Sequence, residues 1–206
     1  MEKSIKEHWE TVYATKTPQE VSWTQEKPRI SLDFIESFQL DKSASVIDIG
    51  GGDSLLVDFL LDLGYTNISV LDISVHAIER AKVRLGDKAR LITWIVSDIN
   101  DFEPTEMYDL WHDRAAFHFL TNPKDIERYV KLVSNQAKNL VVGTFSTNGP
   151  LKCSGLEISQ YDEISLGELF AAEAFKCIET KRDDHMTPFG TTQNFVFASF
   201  SKVGKS

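Results

Sequence analysis

A glycine-rich segment marks the place where the chain could hold a ligand most closely. Residues 46–54 read VIDIGGGDS, after a short apolar run and before apolar residues at helical spacing. Glycine lets the backbone approach a ligand, and a helix N-terminus supplies free N–H groups. A strand followed by a glycine loop and a helix is the context of a nucleotide-binding motif, although a tight turn without a ligand also favours glycine.

Three aspartates in or just after the predicted strands narrow the kind of ligand that this loop could bind. Asp48 lies two residues before Gly50. A carboxylate there would face the pyrophosphate of a dinucleotide, so it disfavours a nicotinamide dehydrogenase and suits a cationic ligand. Asp72 ends the next apolar run and could hold both hydroxyls of a ribose. Asp98 ends the one after, where it could contact an adenine amino group.

Strands that alternate with helices supply the framework for these residues. Each predicted strand is a short apolar run, and the apolar residues between strands recur at helical spacing. This alternation is typical of parallel βαβ units. The predicted parallel strands are residues 45–49, 68–72, 91–96, 108–111 and 140–145.

The C-terminal part departs from the alternation. A predicted helix near residues 164–172 precedes two strand-like segments, 176–182 and 194–201, joined by a loop that holds His185. Two such strands indicate an antiparallel hairpin. The predicted fold is therefore an α/β, three-layer sheet of seven strands, mostly parallel, with a C-terminal antiparallel hairpin.

The first 40 residues form a separate region of a single predicted domain, residues 1–206. Two helices are predicted there, near residues 4–13 and 28–38. We expect residues 1–40 to form a helical lid on a core of residues 41–206. The aromatic residues Trp9, Tyr13 and Trp23 could close over a ligand and exclude water, or they could only anchor the N-terminal helix.

The glycine loop and its acidic partners resemble those of the class I S-adenosylmethionine-dependent methyltransferases. Asp48, Gly50 and Gly52 match the first motif of this family, Asp72 its ribose-binding acid, and Asp98 its adenine-side acid. The resemblance covers residues 45–201 and extends to small bacterial methyltransferases grouped with trans-aconitate-type enzymes. A shorter likeness, at residues 8–13, is to protein-lysine methyltransferases that act on elongation factors. A Rossmann-like sheet and S-adenosylmethionine as cofactor are implied.

The resemblance also implies a set of cofactor-binding residues. One departure is the turn before the fifth strand, where many members have Pro-Gly-Gly and residues 135–139 read NQAKN. This should alter the turn without touching the cofactor site. The expected cofactor-binding residues are Trp23, Asp48, Gly50, Gly51, Gly52, Asp72, Ile73, Asp98, Ile99 and Trp111.

The end of the fourth strand carries the candidates for catalysis. In the family, this position lies near the reactive methyl group, and here it holds His112 and Asp113. Each could accept a proton from an acceptor hydroxyl, thiol or ammonium. Alternatively, His112 packs against the adenine, and Asp113 forms a local ion pair with Arg114.

Other reactive side chains have a structural alternative as well. His118, between two phenylalanines, is expected to be a core histidine satisfied by the backbone, and Cys177 to be part of the core. Cys153 follows the fifth strand, near the acceptor pocket that the resemblance implies, but a lone loop cysteine is usually incidental. His185 and Arg182 could reach this pocket or belong to a solvated charged loop.

Composition and charge restrict the partners. The chain has 206 residues and a net charge of −9, without a cluster of Lys and Arg, so a nucleic-acid substrate is disfavoured. No apolar stretch approaches the roughly 20 residues that span a bilayer, and no secretory signal is seen. We therefore expect a reduced, cytoplasmic protein without a membrane partner. The cysteines and histidines have no zinc-type spacing, so no metal site is predicted.

Three functions are compatible with these residues. Methyl transfer to a small-molecule acceptor by in-line displacement is favoured, because the chain has no large insertion for substrate recognition. A protein methyltransferase with an acidic rim is compatible with the negative charge. A non-catalytic S-adenosylmethionine-binding module is disfavoured, since a degenerate descendant need not keep the first motif and Asp72 together.

Overall fold

Residues 4–203, which this computed structural model describes, contain nine strands and six α-helices. Residues 1–3 and 204–206 of the predicted domain lie outside the described part. The strands are β1 (Ser45–Ile49), β2 (Asn67–Asp72), β3 (Ile92–Val96), β4 (Tyr108–Arg114), β5 (Ala137–Phe145), β6 (Lys152–Cys153), β7 (Leu156–Glu157), β8 (Phe175–Met186) and β9 (Thr192–Lys202). The helices are α1 (Ile5–Thr15), α2 (Arg29–Ser37), α3 (Leu56–Asp62), α4 (Val75–Leu85), α5 (Pro123–Gln136) and α6 (Glu163–Ala171).

Seven of these strands form one sheet, in the order β3-β2-β1-β4-β5-β9-β8. The strands from β1 to β5 pair in parallel, whereas β9 is antiparallel to both β5 and β8. Apolar clusters cover both faces of the sheet, one under α5 and α6 and the other under α2, α3 and α4. The predicted three-layer, mostly parallel sheet with a C-terminal hairpin is confirmed.

Local sequence signals account for where the helices begin. The Ser4 side chain accepts a hydrogen bond from the Glu7 N–H, and the Glu7 carboxylate accepts one from the Ser4 N–H, which forms a capping box for α1. The Ser74 side chain accepts from the Ala77 N–H at the start of α4. Pro123 occupies the first turn of α5, where its missing N–H costs nothing.

Several features of the fold differ from the prediction. Strand β4 continues to Arg114, because Asp113 and Arg114 still pair with β5. Strand β8 extends to Met186 along its antiparallel partner β9, so His185 lies in a strand rather than in the predicted loop. The loop after β5 contains an additional small hairpin, β6 with β7, which the sequence pattern did not indicate.

Helix α1 is fastened to the N-terminus of α4 by one carboxylate. Glu10 accepts hydrogen bonds from the Ser74 hydroxyl (2.8 Å) and the Val75 N–H (2.9 Å), and it contacts His76 Nδ1 at 2.6 Å. Burial alone would raise the pKa of Glu10, but these bonds outweigh it and lower the pKa to about 2. The carboxylate satisfies donors that α4 leaves free at its N-terminus. This contact places α1 beside the sheet edge where β2 ends.

We expect Glu10→Ala to loosen α1 and to lower the free energy of unfolding by about 1–2 kcal/mol, the typical effect of losing a helix cap. Chemical denaturation measures the stability, and limited proteolysis measures the release of the first helix. Glu79→Ala is the matched control, because Glu79 lies on the exposed side of α4, the helix that Glu10 contacts, and pairs with Lys82. Equal protease resistance of the two variants would contradict this role for Glu10.

Candidate functional site

A cavity of about 620 Å³ opens at the carboxyl ends of β1, β2, β3 and β4. Ligands of open α/β sheets bind at this edge. Among the predicted cofactor residues, Gly52 does not line the cavity but donates its N–H to Asp72, and Trp111 does not reach the cavity. The predicted residues that line it are Trp23, Asp48, Gly50, Gly51, Asp72, Ile73, Asp98 and Ile99.

The glycine loop is packed too tightly for any side chain. Gly50 has a φ of +65°, a conformation that L-residues rarely adopt. A Cβ on Gly51 would lie 2.3 Å from Asp48 Oδ2, and one on Gly52 would lie 2.5 Å from Asp72 Oδ2. The N–H groups of Gly50 and Gly51 both donate to the Leu71 carbonyl, which ties the loop to β2. The loop therefore brings bare backbone against two carboxylates at the cavity floor.

A buried chain of hydrogen bonds orients Asp48. His112 Nδ1 lies 2.7 Å from Asp48 Oδ1, and His112 Nε2 lies 2.8 Å from the Ser31 hydroxyl. These two contacts engage both ring nitrogens, one with the carboxylate and the other with the hydroxyl. Asp48 Oδ2 is enclosed and has no hydrogen-bond partner in the described part of the chain. A buried carboxylate oxygen without a donor is suited to a cationic ligand group.

The Asp48, His112 and Ser31 chain has the order of a nucleophilic triad, but its serine is not accessible. Ser31 lies in α2, is 1% exposed and is absent from the cavity lining. No substrate carbonyl could reach its hydroxyl without displacement of the helix. We therefore interpret Ser31 as a positioning residue for His112, and His112 as one for Asp48. Both ring nitrogens of His112 take part in these contacts. The ring is therefore neither a free base nor merely an apolar surface.

Asp72 is held at the end of β2 by two backbone donors. Its Oδ1 accepts from the Ser74 N–H (2.8 Å) and its Oδ2 from the Gly52 N–H (3.1 Å). Burial, with a smaller contribution from the nearby Asp48 and Glu10 charges, raises the pKa of Asp72 to about 7 despite these bonds. Each oxygen keeps a lone pair that could accept from a hydroxyl.

Asp98 stands at the corresponding place after β3. Its side chain accepts a hydrogen bond from the Asn100 N–H (2.9 Å), and the residue lines the same cavity as Asp72. Ile73 and Ile99, the next residue after each aspartate, also line the cavity. The site therefore presents polar groups from two adjacent strand ends with apolar surface beside them.

The alternation of β4 corrects two predicted roles. Successive side chains of a strand point to opposite faces, so His112 and Arg114 reach the cavity while Trp111 and Asp113 do not. Trp111 Nε1 donates to the Tyr129 hydroxyl (3.1 Å), and this hydroxyl donates to Asp113 Oδ2 (2.7 Å). The structure thus places neither Trp111 against a cofactor nor Asp113 against an acceptor. The alternative ion pair of Asp113 with Arg114 is wrong for the same reason.

Asp113 is instead part of the support for the turn after β4. Its Oδ1 accepts from the N–H groups of Ala116 (3.0 Å) and Phe117 (2.9 Å). Complete burial raises the pKa of Asp113 to about 6, although these bonds and the Tyr129 hydroxyl lower it. The carboxylate fixes the segment that leads from β4 to the cavity wall.

We expect Asp113→Asn to cost about 1–3 kcal/mol of stability, because the new amide N–H₂ faces a hydroxyl that needs an acceptor. Cofactor affinity and turnover should stay within about twofold of the unchanged chain, whereas loss of a general base typically costs 10²–10⁴-fold in rate. Thermal unfolding, calorimetry and a turnover assay measure these effects, with the exposed Asp87→Asn as control. A hundredfold loss of turnover with an unchanged fold would restore Asp113 as a proton acceptor.

Aromatic rings from the N-terminal region form the wall opposite the glycine loop. Trp9 contacts Tyr13, Trp23 and Phe119, with ring centroids 5.1–6.1 Å apart. All of these residues line the cavity. His185, the predicted candidate from the hairpin, is buried, and its Nε2 contacts the Ser22 carbonyl oxygen at 2.7 Å. It thereby holds the segment that carries Trp23 instead of entering the cavity.

The remaining candidates are divided between cavity, core and surface. Cys153 lines the cavity, and burial raises the pKa of its thiol to about 12, so it is not a thiolate at neutral pH. His118 is a core residue, as expected, but the backbone satisfies only one of its ring nitrogens: Nδ1 accepts from the Phe145 N–H (3.3 Å), while Nε2 has no hydrogen-bond partner in the described part of the chain. Burial lowers the pKa of His118 to about 3. Cys177 packs partly buried against the core. Arg182 pairs with Glu163 at the surface.

Two absences apply to the described residues. Within residues 4–203, no group of His, Cys, Asp and Glu side chains is arranged to hold a metal ion. Over the same range, none of the helices combines the length and the apolar character that crossing a membrane requires.

Comparison with known proteins agrees with the geometry of the site. Residues 46–139 match the family described as methyltransferase domain. Over 102 residues the chain is 36% identical to the malonyl-[acyl-carrier protein] O-methyltransferase of Anoxybacillus flavithermus. These residues make up 49% of this chain and 39% of that protein. Over 114 residues, which are 55% of this chain and 43% of the relative, it is 26% identical to the trans-aconitate 2-methyltransferase of Rhizobium etli. The matches thus span less than half the length of these relatives.

A solved structure extends the likeness to nearly the whole chain. The S-adenosylmethionine-dependent methyltransferase from Anabaena variabilis superposes with a TM-score of 0.74 at 15% identity, over 98% of this chain and 96% of that one. At this identity the likeness concerns the fold. Residues 46–139 thus carry a methyltransferase domain, and this match, the sheet order and the glycine loop with its acidic partners support a class I S-adenosylmethionine-dependent methyltransferase, with S-adenosylmethionine as cofactor.

Proposed function

We propose that this chain transfers a methyl group from S-adenosylmethionine to a small-molecule acceptor by in-line displacement. The observation that carries the proposal is the single cavity that joins the glycine loop, Asp72 and Asp98 to the aromatic wall of Trp9 and Trp23. A cofactor and a small acceptor can lie end to end in such a space. Its volume of about 620 Å³ is within the range of small-molecule sites.

The residues present fit the proposed cofactor. Asp48 Oδ2, buried without a partner, suits the ammonium group of the methionine part. The bare backbone of the glycine loop leaves room beside it. Asp72 is placed for the ribose hydroxyls and Asp98 for the adenine edge, with the apolar Ile99 beside the ring. When bound, S-adenosylmethionine supplies a methyl group that its sulfonium already activates for displacement.

The contribution of the chain is then orientation and exclusion of water. Holding two reactants in line can contribute on the order of 7–11 kcal/mol to lowering the barrier. We propose that the N-terminal region, residues 1–40, acts as a lid on the core of residues 41–206, and that the rings of Trp9, Tyr13 and Trp23 keep water from the acceptor. Two contacts fix this lid in place: Glu10 accepts from the N-terminus of α4, and His185 contacts the Ser22 carbonyl oxygen.

His112 acts in this proposal as a positioning residue. Because one ring nitrogen holds Asp48 Oδ1 and the other is engaged with Ser31, the imidazole fixes the carboxylate and leaves its Oδ2 available for a ligand group. His112 therefore serves cofactor binding rather than proton transfer. An acceptor that is already ionised at neutral pH is compatible with this arrangement.

The preference for a small acceptor rests on the enclosed cavity and on the relatives. Two of these are named for malonyl-[acyl-carrier protein] and trans-aconitate, and the chain spans less than half of each. The aromatic wall formed by Trp9, Trp23 and Phe119 covers the space in which a protein substrate would have to insert a side chain. A net charge of −9 also disfavours a nucleic-acid acceptor.

The test is transfer of a labelled methyl group from S-adenosylmethionine to a panel that contains trans-aconitate, a malonyl thioester and a cell extract separated by size. We expect label in the small-molecule fractions. Label confined to the protein fraction and not released by thioester cleavage would replace the proposal by a protein methyltransferase. Tight cofactor binding without transfer to any fraction would leave a non-catalytic binding module.

A further inference from the structure

Arg114 lines the cavity and has two nitrogens of its guanidinium group without a hydrogen-bond partner in the described part of the chain. Its Nη1 donates to the Trp23 carbonyl oxygen at 2.9 Å. Its Nε and Nη2 are enclosed, and neither has a hydrogen-bond partner in the described part of the chain. Enclosed donors on a charged group are costly, and native structures almost always satisfy them. Two such donors on one side chain that lines a cavity indicate a missing acceptor.

The surroundings leave the charge of Arg114 without a counter-ion. The guanidinium lies over the Phe195 ring, 5.0 Å from its centroid, and none of the carboxylates in residues 4–203 forms an ion pair with it. Burial lowers the pKa of Arg114 to about 10, while the more distant Asp183, Cys153 and Asp48 raise it. The side chain is therefore a full cation at neutral pH, and what it lacks is a close anion.

The position of Arg114 in the sheet separates it from the adenosine end of the site. Asp72 ends β2 and Asp98 follows β3, on one side of β1. Arg114 ends β4, on the other side of β1, and its ring contact is with Phe195 of β9. Cys153 and Trp23, which also lie near the guanidinium, come from the loop after β5 and from the N-terminal region. These elements form the acceptor half of the cavity.

We propose that Arg114 binds a carboxylate of the methyl acceptor, so that the substrates of this site are carboxylic acids. The proposal rests on the function proposed above. Nε and Nη2 lie on the same edge of the planar group, and their two N–H bonds point in parallel at the spacing of two carboxylate oxygens. The third nitrogen, through Trp23, holds this edge in place. A carboxylate bound there satisfies both free donors and neutralises the charge.

The carboxylate that Arg114 binds could also be the α-carboxylate of the cofactor. Calorimetry distinguishes this from a carboxylate of the acceptor. The unchanged chain is first titrated with S-adenosylhomocysteine, the demethylated product. The saturated complex is then titrated with malonate, succinate and citrate, and with dimethyl malonate as the uncharged match. We expect at least one carboxylate to bind and the diester not to bind.

Variants assign this binding to the guanidinium. Arg114→Met should weaken the carboxylate at least tenfold and leave the affinity for S-adenosylhomocysteine within about twofold. Arg114→Lys keeps the charge but not the planar fork, so its affinity for the carboxylate should lie between those of the unchanged chain and Arg114→Met. Arg182→Met, which removes a surface arginine paired with Glu163, is the control and should leave both affinities unchanged. The retained affinity for S-adenosylhomocysteine also shows that the Met variant is folded.

Three results would overturn the inference. An equal loss of S-adenosylhomocysteine affinity in Arg114→Met would assign the guanidinium to the cofactor. Absence of binding of all three carboxylates to the unchanged, saturated chain would exclude a carboxylate site. Equal binding of dimethyl malonate would show that charge is not recognised. Failure of the proposed function is seen separately, as absence of S-adenosylhomocysteine binding or of labelled methyl transfer.

Discussion

Gly52→Ala is expected to lower the affinity for S-adenosylmethionine and S-adenosylhomocysteine at least 100-fold, equivalent to about 3 kcal/mol or more. The added Cβ would lie 2.5 Å from both Ala77 Cβ and Asp72 Oδ2. Neither neighbour is the free end of a flexible chain, since Ala77 belongs to α4 and Asp72 is held by backbone donors. The loop or the carboxylate must therefore shift, and either movement disrupts the site. Calorimetric titration measures the loss.

The control for Gly52→Ala is a glycine with room for a methyl group. A Cβ on Gly167, within α6, would meet nothing within 4 Å. Gly167→Ala should leave the affinity unchanged and should raise the stability slightly, because alanine is favoured over glycine in a helix by roughly 1 kcal/mol. Retention of cofactor affinity within tenfold in Gly52→Ala would show that the loop does not shape the site as described.

The affinity for S-adenosylhomocysteine is expected to rise about tenfold between pH 6 and pH 8, and this rise should disappear in Asp72→Asn. With a pKa of about 7, the Asp72 carboxyl is about one tenth ionised at pH 6 and about nine tenths at pH 8. Only the ionised form can accept from both ribose hydroxyls while its backbone donors stay bound. The variant should bind at least tenfold more weakly than the unchanged chain at pH 8.

The same carboxyl predicts how the stability of the cofactor-free chain depends on pH. Its pKa is raised from 3.8 to about 7 on folding, so between these values the folded state binds more protons than the unfolded state. Stability therefore falls as the pH rises through this window and levels off above it, by roughly 2–4 kcal/mol in total. Denaturation from pH 4 to pH 8 should show this fall to be smaller in Asp72→Asn. If Asp72→Asn and the unchanged chain had the same pH profile of stability and the same pH profile of affinity, a buried, titrating Asp72 would be contradicted.

Much of the fold follows from short-range signals in the sequence. Ser74 and Pro123 begin their helices where capping chemistry requires, and the apolar runs that end at Asp72 and Asp98 became neighbouring strands. The glycine loop between β1 and α3 is explained by two close approaches that leave no space for a Cβ. These features depend on a few consecutive residues, which is why the pattern reveals them.

The errors concern side-chain direction and contacts between distant segments. The predicted fourth strand stopped at residue 111, so the alternation that turns Trp111 and Asp113 away from the cavity was not applied to them. An apolar run does not show how far pairing with β5 continues. The bond between His112 and Ser31 joins residues 81 positions apart, and no local pattern in α2 singles out this serine. The free edge of Arg114 likewise exists only because β4, β9 and the Trp23 segment meet.

The central claim is that the cavity above the glycine loop binds S-adenosylmethionine, and isothermal titration of the purified chain tests it most directly. S-adenosylmethionine, S-adenosylhomocysteine and NAD are titrated under the same conditions. The account predicts micromolar binding of the first two, one molecule per chain, without binding of NAD, because Asp48 would face the pyrophosphate of the dinucleotide. Absence of S-adenosylhomocysteine binding, or binding of NAD in its place, would contradict the assignment of the site.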